Sequence, residues 1–366
     1  MKIALVWDNF GPLHDDRLDA TSSLLAGEAD VVGVEINGIS DTYSWTNSSS
    51  AKKVSIYGDR TLRETSDLQL FWGSLKTLLR ERVDIAFLCH YERAGTALLA
   101  YVLRALGKRV FVMGCPKFDD HERRSLRESM KWPFIAPYQG ALVGSVATES
   151  FFRFLGVRGP IERGYNTVSN QRILELAGTQ DLPSFEDRNF IIIARLVPKK
   201  NLETAVRAFK LYRDRNPLCS RKLEICGDGP LEESLKSLAQ NLGIKNEVVF
   251  HGFLQSQEIA PKLRASCALL LVSIEEQYGN VVPEAFALGI PVIISDACGA
   301  RWELVRSSRN GWLVEASNTD GIAKFMELTV AHHETWEHMS HQALRSAGGG
   351  DTPRFAHAVR KLVLGQ

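Results

Sequence analysis

Phe190-Ile191-Ile192-Ile193-Ala194-Arg195-Leu196-Val197-Pro198-Lys199-Lys200-Asn201-Leu202-Glu203-Thr204-Ala205-Val206 runs from an unbroken apolar segment through a basic turn into a segment of helical period. A short continuous apolar run suits a strand covered on both faces, and the helical period that follows suits the helix that covers it. The same unit recurs along the chain. In the first half, strands are predicted over 2–7, 31–36, 83–88, 109–113 and 141–144, with helices over 17–26, 68–81, 94–106 and 147–155. In the second half, strands over 190–194, 222–226, 248–251, 268–272, 292–294 and 311–314 alternate with helices over 202–213, 231–242, 257–264, 284–287 and 321–330. This order predicts an α/β protein with two parallel, doubly wound sheets.

A chain of 366 residues is long enough for two domains. Gly164, Asn166, Asn170, Gly178 and Pro183 mark a boundary over 164–183, so the expected division is 1–167 and 168–346. After Gly348-Gly349-Gly350, Asp351 or Thr352 can cap and Pro353 can open a last helix over 353–364, which is expected to pack back on the first domain. The polar segment 40–53, with Ser48-Ser49-Ser50, reads as an exposed loop. With 45% apolar and 24% charged residues, both halves can build a core. The 44 basic and 43 acidic residues argue against a nucleic-acid binder. Cys89, Cys115, Cys219, Cys226, Cys267 and Cys298 form no CxxC pair and read as reduced residues of a cytoplasmic protein. The first apolar stretch is too short for a signal segment, and no run approaches a membrane span; peripheral contact at the inner face of a membrane stays open.

Three turns carry candidate chemistry. Ala194–Asn201 follows a strand and precedes a helix, a place where doubly wound sheets bind anions. Arg195 offers a planar fork of donors and Lys200 a mobile point charge, a combination suited to a pyrophosphate, although a solvated basic turn has the same composition. Gly227-Asp228-Gly229-Pro230-Leu231 is either a backbone approach to a ligand or only a tight turn. In Ser273-Ile274-Glu275-Glu276-Gln277-Tyr278-Gly279-Asn280-Val281-Val282-Pro283-Glu284, Pro283 is expected to open a short helix. That places Glu284 in its first turn and Glu276 in the loop before it, with N–H groups around 280–282 free for a diphosphate. An acid/base dyad of Glu276 and Glu284 is the alternative, but it leaves the neighbouring phosphate-type turns unexplained.

These motifs, followed by Phe250-His251-Gly252, Gly289-Ile290-Pro291-Val292 and Asn310-Gly311, resemble in order the retaining glycosyltransferases of family 4, also called group 1. The resemblance is strong over 190–330 and weaker but collinear before it. It implies a GT-B fold, two Rossmann-like domains facing a central cleft, with the acceptor in the first and a nucleotide diphosphate sugar in the second. It implies that Arg195 and Lys200 clamp the donor phosphates, that Glu284 bonds the ribose and that Glu276 lies by the transferred sugar. Tyr278, Gly279, Asn280 and Val281 would meet sugar and phosphate through the backbone, and Gly229 and Phe253 would flank the base. No metal and no protein nucleophile is implied. The donor would be a UDP- or GDP-sugar, and the acceptor a hydroxyl of a sugar, a lipid-linked molecule or a small metabolite. A role in cell-surface polysaccharide or glycosylated-metabolite biosynthesis follows by family habit. A GT-B phosphorylase, an epimerase and a catalytically silent nucleotide-binding protein are the alternatives.

In the first half, Gly11 in Asn9-Phe10-Gly11-Pro12-Leu13-His14 resembles the family's glycine loop, with one glycine where two are usual. His14 reads as an acceptor contact or as a cap. His90 and Glu92, after the strand over 83–88, are candidates for sugar contacts, with a structural histidine nearly as good a reading. Where many relatives have a histidine, this chain has Gly114-Cys115-Pro116, and either Cys115 or the later His121 would have to replace it. Lys117, Arg123, Arg124, Arg127 and Lys131 lie among acidic residues and read better as a salt-bridged face than as an anion site. His332-His333-Glu334-Thr335-Trp336-Glu337-His338 lacks the i, i+4 histidine pair of a zinc helix. No GxGxxG follows the first strand, which weakens a dehydrogenase reading.

Overall fold

The computed structural model describes residues 1–40, 51–120, 123 and 125–365. They form two compact units: residues 1–169 with 351–366, and residues 170–350. Each is a parallel sheet clothed by helices on both faces.

The first unit has seven strands: β1 (Lys2–Trp7), β2 (Asp30–Asn37), β3 (Lys53–Tyr57), β4 (Ile85–Leu88), β5 (Arg109–Gly114), β6 (Ala141–Val143) and β7 (Ile161–Arg163), in the order β3-β2-β1-β4-β5-β6-β7. Alternate residues of β1 serve the two faces. Ala4 and Val6 join one cluster with Val32, Val34 and Leu88, while Ile3, Leu5 and Trp7 join another with Phe87, Phe111 and Leu142. The second unit has six strands: β8 (Phe190–Ile193), β9 (Leu223–Cys226), β10 (Val248–Gly252), β11 (Ala268–Leu271), β12 (Val292–Ser295) and β13 (Gly311–Val314), in the order β10-β9-β8-β11-β12-β13. β8 divides in the same way, with Phe190 and Ile192 on one face and Ile191 on the other. The two doubly wound sheets are the pair that the alternating pattern predicts.

Three expectations need correction. The turn-rich stretch 164–183 contains a helix, Asn170–Ala177, whose Ile173 and Ala177 are buried. Strands β3 and β7 are absent from the expected set because both are edge strands; both are half-buried or exposed throughout, and neither shows a long apolar run. Lys53, expected to close a loop, opens β3, while residues 41–50 of that loop lie outside the described residues. The histidine-rich segment after 332 forms the helix His333–Ser346, which buries Trp336, Met339 and Ala343 and stacks His333 on Phe185 at 4.7 Å.

The last helix, Thr352–Leu364, starts at an Asp351 cap with Pro353 in its first turn. It lies in the first unit, against the helix Pro12–Leu24. Phe355, Val359, Leu362 and Val363 enter the core beside Trp7 and Leu25. Arg109 donates to the carbonyls of Leu362 and Val363 at 2.7 and 2.6 Å. No helix among the described residues is long and apolar enough to cross a membrane.

Candidate functional site

In the second unit the chain runs outward from β8 to β9 and β10 on one side, and from β11 to β12 and β13 on the other. β8 and β11 are neighbours, so the loops that leave their carboxyl ends diverge and open a crevice between them, the usual ligand position in such sheets. The two loops are tied together. Ile274 N–H donates to the Lys199 carbonyl at 3.0 Å. Asn201, with a left-handed backbone (φ 56°), donates its side-chain amide to the carbonyls of Val272 and Ala316 at 3.0 and 2.7 Å. Across this junction the Lys200 ammonium is paired with the Glu276 carboxylate, and both side chains are mostly buried, at 16% and 14% exposed. Ser273 Oγ donates to the same carboxylate at 3.3 Å. Arg195 stands half-buried in the same turn.

The loop after β9 joins this group. Leu196 N–H donates to Asp228 O at 2.7 Å and Leu231 N–H to Leu196 O at 3.1 Å. Gly227 and Gly229 take φ of 142° and 148°, and a Cβ on them would stand 1.9 Å from the Ala194 carbonyl oxygen and 2.6 Å from that of Leu196. Side chains are thus kept off the crevice floor by backbone contact as well as by torsion. Phe253, after β10, is 39% exposed.

The helix Val281–Ala287 begins two residues before Pro283, which occupies its first turn. Proline is tolerated there because the first N–H groups of a helix have no intrahelical acceptor. Glu284 also lies in that turn and is half-buried. One N–H expected to be free is taken: Val282 donates to Gly279 O at 3.0 Å to close the entry turn. The Tyr278 ring is buried, and its carbonyl accepts from Ala300 N–H and Cys298 Sγ, so its outward contribution is through the main chain. Gly279 (φ 94°) leaves no room for a Cβ between Leu271 and Cys298.

The first unit has its own switch point, between β1 and β4. Gly11 N–H donates to His14 Nδ1 at 3.1 Å, and Phe10 N–H to Glu35 Oε1 at 2.9 Å. His14 therefore caps the helix Pro12–Leu24 with an Nδ1 lone pair. Burial, then the Arg17 and His90 charges, push its pKa down to about 3, so the ring is neutral at ordinary pH. His90, left-handed at φ 56°, leaves its ring 31% exposed, with Nδ1 3.4 Å from Glu92 Oε1. Deeper, Arg17 is buried and gives two bonds to the Thr167 carbonyl, and Tyr165 OH meets Trp7 Nε1 and Cys89 Sγ at 3.2 and 3.4 Å.

The structure thus gathers Arg195, Lys200, Gly229, Phe253, Glu276, Tyr278, Gly279, Asn280, Val281 and Glu284 in the second unit, while Gly11 and His90 belong to the first. Sequence reasoning misses Asn201, Ser273 and Arg17 as site-building residues. Their partners lie 71, 3 and 150 positions away, and neither long separation leaves a local signal. Lys117, Arg123 and Lys131 are paired with Asp119, Asp120 and Glu128, as a salt-bridged face requires. Cys115 is half-buried; His121, its alternative, and Arg124 lie outside the described residues.

Residues 179–345 match the family model described as glycosyl transferases group 1, so the second unit carries a domain of that group. An uncharacterized glycosyltransferase of Methanocaldococcus jannaschii is 30% identical over 146 residues, 40% of this chain and 35% of that protein. The lipopolysaccharide core biosynthesis glycosyltransferase LpsE of Rhizobium meliloti is 30% identical over 139 residues, 38% of each chain. The alignments therefore span well under half of either relative. Among solved structures, sucrose-phosphate synthase from Thermosynechococcus elongatus superposes with a TM-score of 0.75 at 15% identity, covering 100% of this chain and 98% of that one. Anabaena HepE in complex with UDP superposes with a TM-score of 0.74 at 15% identity, covering both chains fully. The fold is that of GT-B glycosyltransferases.

Proposed function

We propose that this chain is a retaining glycosyltransferase that moves a sugar from a UDP- or GDP-sugar to a hydroxyl acceptor without a metal ion. The observation that carries the reading is the Lys200–Glu276 pair at the β8/β11 switch point, set among turns whose glycines exclude side chains. A diphosphate leaving group gains charge as the glycosidic bond breaks, and cations already in place stabilise it most at that moment. Lys200 and Arg195 supply them. A donor that draws Lys200 onto its phosphates frees Glu276 for the hydroxyls of the sugar. Glu284 binds the ribose. In the first unit, His90 belongs to the acceptor side and Gly11 to a loop for the donor phosphates, which the neutral His14 holds.

The group 1 domain and the carbohydrate-polymer relatives support the chemistry, and the UDP complex of the Anabaena protein favours uridine as the base. Cell-surface polysaccharide assembly in the cytoplasm, at the inner face of a membrane, is the setting we infer.

A thermal-shift panel of UDP, GDP, ADP, CDP and dTDP on wild type and Lys200→Ala, with and without EDTA, tests this. One diphosphate should raise the Tm of wild type, unchanged by EDTA and weakened by the substitution. No shift with any diphosphate, or a shift abolished by EDTA, overturns the metal-free donor site.

A further inference from the structure

We propose that the second unit carries another anion site, away from the β8/β11 switch point, that binds a phosphate group through Arg306, Arg309 and Arg345. These arginines line a pocket of about 280 Å³ together with Asn310, Gln342 and Ser346. At about 30 Å³ per water that is room for roughly nine, ample for a phosphomonoester.

The pocket is a built feature. Asn310 is buried, and its side chain ties the loop before β13 to the end of the helix His333–Ser346. Its Oδ1 accepts from Arg306 N–H at 2.7 Å, and its Nδ2 donates to the Leu304 carbonyl at 3.0 Å and to Ser346 Oγ at 2.8 Å. Ser308, at φ 61°, turns the loop back so that Ser307 bridges Gly311. This staple brings Arg306 and Arg309 from the loop beside Arg345 from the helix's last turn.

Three guanidinium groups at one pocket repel one another, and native surfaces ordinarily intersperse carboxylates among them. Here none does so. Among the described residues, no carboxylate forms an ion pair with Arg306, Arg309 or Arg345. The hydrogen bonds of the two loop arginines go to neutral groups: Arg306 Nη1 to the Val305 carbonyl at 3.0 Å, and Arg309 Nη2 to Gln342 Oε1 at 3.4 Å. A cation at a helix carboxyl end explains Arg345 alone, since the dipole there amounts to about half a charge. It leaves the two loop arginines unexplained. Planar forks of donors around a polar pocket match the oxygens of a phosphate monoester, whether free or in a lipid headgroup.

The test uses the full chain without nucleotide, in wild-type and Lys200→Ala forms, so that anion binding at the switch-point site is recognised by its dependence on Lys200. Inorganic phosphate and glucose 6-phosphate are titrated by calorimetry. Vesicles of phosphatidylcholine with or without phosphatidic acid are used in co-sedimentation. The variants are Arg309→Gln, Arg345→Gln, the triple Arg→Gln change, and Arg345→Lys. Saturable binding of the soluble phosphates, weakened about tenfold or more by each single glutamine and less by Arg345→Lys, supports the site with a free ligand. Binding only to phosphatidic acid vesicles, with the same dependence, supports it with a lipid source. No saturable binding of either kind, or binding untouched by the triple change, overturns it. Phosphate binding lost in Lys200→Ala but kept in the triple variant would belong to the donor site and overturn the second one, and binding lost only in the triple variant stands whatever the fate of the donor site.

Discussion

The two units share one order over six strands, to which the first adds β7, but furnish their switch points differently. At β8/β11 the crevice holds opposed full charges, Lys200 and Glu276, over turns stripped of side chains by Gly227, Gly229 and Gly279. At β1/β4 the corresponding place holds a neutral His14 and a half-buried His90 among Arg17, Glu35 and Glu92, with aromatic rings and thiols, and Gly11 there has an ordinary extended backbone at φ −122°. Parallel strands set where a ligand can sit; the loop residues decide what it is. The directly opposed pair in glycine-stripped turns suits a group whose charge changes during reaction, and the more mixed set around His14 suits hydroxyl-rich molecules bound by hydrogen bonds.

The sharpest way to break this contrast is Lys200→Ala. Turnover should fall by about 10²-fold or more, the scale for losing one group that stabilises a developing negative charge, and steady-state kinetics would read it. Near-normal turnover would remove the clamp and leave the two crevices functionally alike. Next in size is Gly227→Ala. Its φ of 142° and the 1.9 Å approach to the Ala194 carbonyl should cost about 1–3 kcal/mol from the backbone alone, measured by urea unfolding. A variant as stable as wild type would mean that the turn is not held as described. Glu284→Ala should weaken nucleoside diphosphate binding by about 1–3 kcal/mol with little change in turnover at saturation; unchanged affinity in calorimetry would withdraw the ribose assignment.

The smallest effect tests the neutral His14 of the first unit. His14 is lowered from an ordinary value near 6.5 to about 3, so its native environment favours the neutral ring. A lowered histidine pKa means the unfolded chain binds the proton first as pH falls. The stabilisation from His14 is complete above about 6.5 and is lost progressively down to about 3. His14→Gln should flatten the acid-side loss of stability by up to about 1.4 kcal/mol per pH unit in that window. A His14 ring that titrates near 6.5 by NMR would withdraw the neutral cap.

What was legible before the structure follows the same division. Strands buried on both faces, such as Phe190–Ile193 and Ile85–Leu88, announce themselves by unbroken apolar runs. The edge strands Lys53–Tyr57 and Ile161–Arg163 do not, because one side of each lacks a neighbouring strand and the side chains are largely wet. The helix Asn170–Ala177 hides among turn-forming residues because only Ile173 and Ala177 need burial. In the site, the glycine turns and the cations were visible as local motifs. That Lys200 meets Glu276 was not, since the two are 76 positions apart and only the adjacency of β8 to β11 joins them. The capping role of His14 was one of two readings open at that position, and the bond from Gly11 N–H supports it without excluding an acceptor nearby.

The return of the last helix to the first unit bears on how the molecule is made. Residues 170–350 are continuous in the chain and can close their sheet as soon as β13 and its helices emerge from the ribosome. The first unit is begun earlier yet lacks Phe355, Val359, Leu362 and Val363 until the whole second unit has been made. Multi-unit chains generally consolidate from the amino end during translation. Here the first sheet, complete at Arg163, has one flank uncovered until a helix that begins at Thr352 is made, 189 residues later. Its exposure to chaperones and to aggregation is therefore set by the time taken to translate the unit that follows it.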